Sequence, residues 1–248
     1  MDYKIVMKVL ITIPSLNEGK ILKQNITKLH TYLQAQKLDY VIEVVDNKST
    51  DNTAIILKEL TKKYNNVKYT YLPKKGKWYA IKESWNKANK TFDILSFMDA
   101  DLATDITDFP KLIAAITNEG YDVSIGTRHS KESKSKRTFF RQIISKGLII
   151  IQKILFNVEY SDSQCGFKAI KHNKYNLIKK YIQNNTWSGD LELLLVSERI
   201  FKFRIKSIPV KWNEQTTTKL NMPKEILKFS KELWRLFWYL RKLKRIQK

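Results

Sequence analysis

The chain has 248 residues, 43% of them hydrophobic, a single cysteine and a formal net charge of +22. This excludes a disulfide framework and a compositionally disordered chain, and the lone Cys165 suits a reducing cytosolic setting. The apolar runs, such as Leu148 to Ile151, fall far short of the roughly 18 residues of a membrane-spanning helix. The charge is unevenly placed: residues 1–130 hold 19 Lys/Arg against 15 Asp/Glu, whereas residues 131–248 hold 27 against 9. Such asymmetry points to an anionic partner for the second half, nucleic acid or anionic lipid, unless the lysines only solvate the surface.

In chain order, Val9 to Ile13 reads as a short β-branched strand ending at Pro14, not as a signal peptide. Asn17 and Glu18 open a helical pattern through Leu22, Ile26, Leu29 and Leu33. Val41 to Val45 is a second strand, and the cap-rich Ser49 to Thr53 leads into a helix through Ile56 and Leu60. Val67 to Leu72 is a third strand; Gly76 precedes a helix through Trp78, Ile81 and Trp85. Ile94 to Met98 and Val123 to Ile125 complete the strands of the first half. Strands separated by helices predict a mostly parallel sheet, whose ligands bind beyond the carboxyl ends of the strands. After Arg128 the texture changes. Ser130 to Arg137 reads as a mobile loop, Phe139 to Phe156 as a helix, Lys202 to Trp212 as a strand, and Met222 to Lys248 as a basic, aromatic helix.

Asp99-Ala100-Asp101 closes the fourth strand. Two carboxylates at that edge suit a hard divalent cation, which takes one or two of them together with substrate phosphates. Taken alone, the pair reads equally well as a turn or helix cap. It is not alone: Asp46 ends the second strand, Pro14 to Glu18 the first, and Lys75-Gly76-Lys77 follows the third. All four clusters share one edge of a parallel sheet.

Pro14-Ser15-Leu16-Asn17-Glu18, Val45 to Thr53, Lys75-Gly76-Lys77 and Asp99-Ala100-Asp101 together resemble the family 2 inverting glycosyltransferases of the GT-A fold. Gly126-Thr127-Arg128, Ser161 to Lys168 and Trp187 to Leu194 are similar to their polyprenyl-phosphate sugar transferase branch, above all to the dolichyl-phosphate β-glucosyltransferases. The likeness covers roughly residues 8–220. It implies a GT-A domain over 1–220, with a nucleotide half (1–130) and an acceptor half (131–220), followed by a basic amphipathic helix at 221–248.

The resemblance also implies roles. Pro14, Asn17, Glu18, Asp46 and Lys77 would hold the nucleotide sugar, with UDP-glucose favoured over GDP-mannose. Asp99 and Asp101 would hold Mg²⁺ or Mn²⁺ against the diphosphate, and Arg128, Arg141, Ser145 and Lys219 would bind the phosphate of a polyprenyl or dolichyl acceptor. Asp190 and Glu192 would order the donor sugar or acceptor, or Asp190 would be a base. Asn47 stands where many relatives have a second Asp. Ala103 stands where mannosyl relatives place a Gln, which favours the glucosyl branch. Thr218-Lys219-Leu220 lacks the Arg that precedes this segment in mannosyl relatives.

The terminal helix spaces Leu227, Leu233, Trp234, Phe237 and Leu240 among lysines and arginines, which suits peripheral attachment to an anionic membrane at its cytoplasmic face. Docking on the domain itself or on a partner is the other reading of that stripe. A nucleic-acid-binding protein is the alternative from another class, but no nucleic-acid motif is present and the strand-end acids would repel that partner. A family 2 transferase with a saccharide acceptor is the nearer alternative, and there Asp190 would be an essential base.

Overall fold

The computed structural model describes residues 7–136, 139–213 and 222–246. Strands β1 (Lys8–Ser15), β2 (Asp39–Asp46), β3 (Val67–Tyr71) and β4 (Ile94–Met98) are parallel and alternate with helices α1 (Gly19–Ala35), α2 (Thr53–Lys63) and α3 (Lys77–Lys87). The sequence continues through α4 (Phe109–Thr117), β5 (Val123–Thr127), β6 (Lys134–Lys136), α5 (Phe139–Phe156), β7 (Phe167–Lys171) and α6 (His172–Ile178). It ends with α7 (Gly189–Leu195), β8 (Ile205–Pro209), β9 (Lys211–Asn213) and α8 (Met222–Ile246). The main sheet has seven strands in the order β3-β2-β1-β4-β7-β5-β8. Only β7 runs antiparallel to its neighbours, so the sheet is mostly parallel, as the alternation of elements predicts.

Both faces of the sheet are covered, and the side-chain alternation of β1 shows how. Val9, Ile11 and Ile13 join a core under α1, α2 and α4, while Leu10 joins a second core under α3, α6, α7 and α8. α1 contributes Leu22, Ile26, Leu29 and Leu33, all fully buried, at helical spacing. On the other face Trp78, Trp85 and Phe97 meet with ring centroids 5.7–6.0 Å apart.

Two expectations are corrected. Lys202 to Trp212 is not one strand: Lys202 has a left-handed φ of 57°, β8 pairs with β5, and beyond Pro209 the chain leaves for β9, which pairs with β6. The segment Ser130 to Arg137, read as a loop, contains β6, whose backbone finds its partner 77 residues later at Lys211. α4, α6, α7 and β7 are not among the expected elements. Pro110 is the second residue of α4, where its missing N–H costs nothing, and Phe109, Leu112, Ile113 and Ile116 are on its buried face. β7 was hidden by Lys168, a charge in the middle of a strand buried on both sides.

The C-terminal helix that the sequence sets apart shares the core. Phe229, Leu233, Leu236, Leu240 and Leu243 of α8 are buried in the same cluster as Phe97, Val123 and Leu194. Its opposite side leaves Leu227, Trp234, Trp238 and Ile246 exposed. No helix among the described residues is long and apolar enough to cross a membrane.

Leu236 has no solvent exposure, so Leu236→Ala should lower unfolding free energy by roughly 2–5 kcal/mol. Leu227→Ala, on the exposed side of α8, should stay within about 0.5 kcal/mol of the parent. Urea midpoints of the two variants measure the difference; equal midpoints would show that α8 is not part of the cooperative core.

Candidate functional site

The parallel register brings the carboxyl ends of β1, β2, β3 and β4 to one edge, and the loops leaving them are tied together by side-chain hydrogen bonds. Asn17 adopts a left-handed φ of 57°, and its Oδ1 accepts from the Thr50 N–H at 2.8 Å while its own N–H donates to Ser49 Oγ at 2.9 Å. Asp51 caps α1 across the loop, accepting from the Gly19 N–H at 3.1 Å. Asp46 is buried; its Oδ1 accepts from the Ser49 N–H at 2.8 Å and its Oδ2 from the Tyr69 hydroxyl at 3.4 Å. Beside it, Ser15 Oγ and Asn47 Oδ1 are buried with no hydrogen-bond partner among the described residues. Buried polar atoms without partners are rare in proteins. These two lie at the end of β1 and just past β2, where the sheet's ligand is expected.

The acids lie at the end of β4. Asp99 rests on Gly166: a Cβ there would collide with the Asp99 carboxylate in its present position. Asp99 Oδ1 is 2.6 Å from Lys77 Nζ. Asp101 is itself the turn acid of its loop, accepting from the Ala103 N–H at 3.0 Å, so the cap reading of this motif is realised as well. Burial and then the Asp99 charge raise the Asp101 carboxyl above its ordinary value. Burial, Asp101, Asp51 and Asp99 do the same to Glu18. The Asp99 charge thus adds to burial in raising both Asp101 and Glu18, a concentration of negative charge that a hard divalent cation would relieve. Among the described residues no three His, Cys, Asp or Glu side chains converge on one ion. Two carboxylates at this edge match the donor set of a hard cation that takes its remaining ligands from phosphates.

Behind Asp99 runs a chain of buried charges. Lys77 Nζ is also 3.8 Å from Asp190 Oδ2, and Asp190 Oδ1 accepts from Lys168 Nζ at 2.5 Å. Burial opposes the charge on Lys77, but Asp99 and Asp190 outweigh it and its pKa is raised. Lys168 has no exposure and also donates to the Cys165 carbonyl. Trp187, 70% exposed, lies with its ring centroid 4.7 Å from Lys77 Nζ and roofs the ammonium.

The residues expected to bind an acceptor phosphate are placed less simply. The Arg128 fork is engaged by Asp162, at 2.7 Å from Nε and 2.9 Å from Nη2. Ser145 Oγ lies 3.0 Å from His129 Nε2. The side chain of Arg141, on α5, and all of Lys219 lie outside the described residues. The edge thus gathers Pro14, Asn17, Glu18, Asp46, Lys77, Asp99, Asp101 and Asp190, while Arg128 and Ser145 sit beside it around Asp162 and His129. Lys168, Asp162 and Trp187 were given no role from the sequence, although all three stand in the motifs that carried the resemblance. Lone charges inside apolar runs, such as Lys168 in Phe167 to Ile170, were the signal available.

Residues 10–184 match the family described as Glycosyl transferase family 2. The dolichyl-phosphate beta-glucosyltransferase ALG5D of Trichomonas vaginalis is 30% identical over 85% of this chain and 67% of its own length. The dolichol-phosphate mannosyltransferase of Pyrococcus furiosus is 35% identical over 66% of this chain and 46% of its own. Glycosyltransferase AglD of Haloferax volcanii is 24% identical over 94% of this chain, which spans only 38% of that protein. Among solved structures, glucosyl-3-phosphoglycerate synthase from Mycobacterium tuberculosis, in complex with Mn²⁺ and uridine-diphosphate-glucose, superposes with a TM-score of 0.64. It covers 88% of this chain and 74% of that one at 15% identity, a likeness of fold.

Asp162 is the site's clearest electrostatic commitment. Burial opposes its charge, yet Arg128 holds its carboxyl well below the usual range. Its contribution to stability is therefore complete above the unfolded carboxylate value of about 3.9 and is lost as pH falls below it towards the folded value. Asp162→Asn should flatten this acid limb of the stability–pH profile. At neutral pH it should cost about 3–5 kcal/mol, because Arg128 is left buried without its partner. Thermal unfolding between pH 2 and 7 checks both; a variant with the parent's acid limb would show that the pair contributes nothing.

Proposed function

The chain belongs to glycosyl transferase family 2, and on that premise we propose that it transfers a hexose, glucose in preference, from a nucleotide sugar to a polyprenyl or dolichyl phosphate with inversion at a membrane surface. The observation that carries this reading is the convergence of Asp99, Asp101, Lys77 and Asp190 at the carboxyl edge of the sheet. The names of the relatives supply the acceptor class, and UDP-glucose in the mycobacterial neighbour supports the donor class.

The nucleoside would lie over β1 and β2, held by Pro14, Asn17, Glu18 and Asp46, with Ser15 Oγ and Asn47 Oδ1 offering unused hydrogen-bonding capacity. Asp99 and Asp101 would hold Mg²⁺ or Mn²⁺, which when bound stabilises the charge developing on the departing diphosphate. Lys77, already between Asp99 and Asp190, adds a fixed positive charge beside that leaving group. The acceptor is a phosphate monoester with a second pKa near ~6, so it arrives largely dianionic and needs no general base. Asp190 fits that economy: Lys168 and Lys77 flank it, so it orients the reacting groups instead of abstracting a proton. Arg141, Ser145 and Lys219 are proposed to steer the acceptor phosphate. Arg128 joins them by sharing its remaining donors, since Asp162 occupies Nε and Nη2.

The membrane part rests on two helices that pack together, α5 and α8. α5 exposes Ile150, Ile151, Ile154 and Leu155, and α8 exposes Leu227, Trp234 and Trp238 among its cations. Aromatic and aliphatic groups interleaved with Lys and Arg suit an anionic bilayer interface, and we place the chain at the cytoplasmic face.

Asp101→Ala is expected to lower hexosyl transfer at least 100-fold without lowering the thermal midpoint, and EDTA should do the same to the parent. In the parent, kcat/KM for UDP-glucose should exceed that for GDP-mannose at least tenfold with a short polyprenyl phosphate as acceptor. Retained transfer in EDTA refutes the metal assignment, and a preference for GDP-mannose refutes the donor assignment.

Binding to vesicles rich in phosphatidylserine should weaken as salt rises from 0.05 to 0.5 M, because each surface Lys or Arg contributes at most about 1 kcal/mol and is screened. Trp234→Ala with Trp238→Ala should reduce sedimentation with the vesicles at constant salt. Salt-independent binding, or binding unaltered in the double variant, would place the membrane contact elsewhere.

A further inference from the structure

Glu192 lies two residues beyond Asp190 on α7 and has no solvent exposure, so its carboxylate must be partnered inside the protein. Its Oε1 accepts from Arg235 Nη2 of α8 at 3.0 Å, and its Oε2 from the Asn184 N–H at 2.6 Å. The same Arg235 donates to both oxygens of Glu232, at 2.6 and 3.0 Å, and Glu232 Oε1 in turn accepts from Asn184 Nδ2 at 2.9 Å. One guanidinium thus spans two carboxylates, and both carboxylates grip the same asparagine.

Asn184 begins the turn that leads to Trp187. Its Oδ1 accepts from the Thr186 N–H at 2.6 Å and the Thr186 hydroxyl at 2.9 Å. The next carbonyl, Asn185, accepts from the Tyr79 N–H at 3.1 Å in the first turn of α3, two residues after Lys77. Lys82 of α3 donates to the Ile182 and Gln183 carbonyls, and Tyr239 of α8 to the Tyr181 carbonyl. Residues 181–192 are therefore clamped between α3, which carries Lys77, and α8. Trp187 and Asp190, both against Lys77, ride on this clamped segment.

We infer that Arg235 is a positioning residue: through Glu192, Glu232 and Asn184 it makes the seating of the C-terminal helix a condition for the placement of Trp187 and Asp190 at the sugar site. This rests on the hexosyl-transfer reading for the role of that site, but the mechanical coupling stands on the hydrogen bonds alone. It follows that the helix with the exposed tryptophans and the segment that meets the sugar move as one unit. A surface that engages α8 therefore acts on the donor site through a path of four side chains.

Hydrogen–deuterium exchange on the full chain tests the coupling without reference to activity. Arg235→Met should speed exchange across residues 182–195 at least tenfold while β1 and β2 keep the parent's rates. Arg235→Lys, which keeps the charge but loses the fork, should fall between the two. Arg241→Met removes a cation from the same helix without touching Glu192 and should leave exchange across 182–195 unchanged. In kinetics, Arg235→Met should lower kcat for hexosyl transfer at least tenfold while the Kd for uridine, which would lie over β1 and β2, stays within twofold. Unchanged exchange at 182–195, an equal rise in β1 and β2, or faster local exchange with an unaltered kcat would each overturn the inference. If the parent transfers no hexose at all, the functional reading fails while the exchange data still decide the coupling.

Discussion

Lys168 and Asp190 meet at 2.5 Å with almost no exposure, and Lys77 joins Asp190 to Asp99 at the rim. Isolated, each buried charge would cost several kcal/mol, so these groups are tolerable only as an alternating set. That requirement constrains the surrounding architecture. It needs β7 beside β4 to deliver Lys168, the glycine at 166 to admit the Asp99 carboxylate, and Gly189 at the start of α7, where a Cβ would strike Trp78. The antiparallel insertion of β7 into an otherwise parallel sheet is thus what brings the second half of the chain into contact with the strand ends of the first.

The first half was readable because its physics is local. Short apolar runs ending in Pro14 and Asp46, each followed by a helical stripe, identify βαβ units, and the parallel register places their ends beside that of the run closed by Asp99. The second half was less readable because its determinants are non-local. β6 becomes a strand only through β9, and Lys168 belongs in a buried strand only because Asp190 arrives 22 residues later. Asp162 likewise gives no sign in the sequence that it will occupy the Arg128 fork. The resemblance identified the segments that carry these residues, but their pairings belong to the three-dimensional arrangement. α4 is a different case: Phe109-Pro110 and the apolar spacing behind them mark a helix start within the local sequence.

α8 combines two patterns in one helix. One stripe, from Phe229 to Leu243, closes the core over α7 and the π-turn at Val196–Ile200 that follows it. The other presents Trp234 and Trp238 at the surface, with Arg241 stacked on Phe237 and Trp238. A helix anchored on one side and amphiphilic on the other links a surface to an interior. Burial alone would give it that mechanical role; the buried Glu192 and its Arg235 partner direct the link to the segment that carries Asp190.

On the proposed reading, a phosphate nucleophile gives the arrangement its chemical logic. An already ionised acceptor makes a strong base unnecessary, so the acids of the site can serve the cation and the electrostatic frame instead. The claim that the chain glycosylates a lipid phosphate with inversion is tested most directly by analysing the product itself. Incubation with Mn²⁺, UDP-glucose and a short polyprenyl phosphate, followed by mass spectrometry and NMR of the lipid fraction, should show one added hexose whose anomeric carbon has the β configuration. A lipid fraction with no added hexose, or a product that keeps the donor's α configuration, would contradict the account.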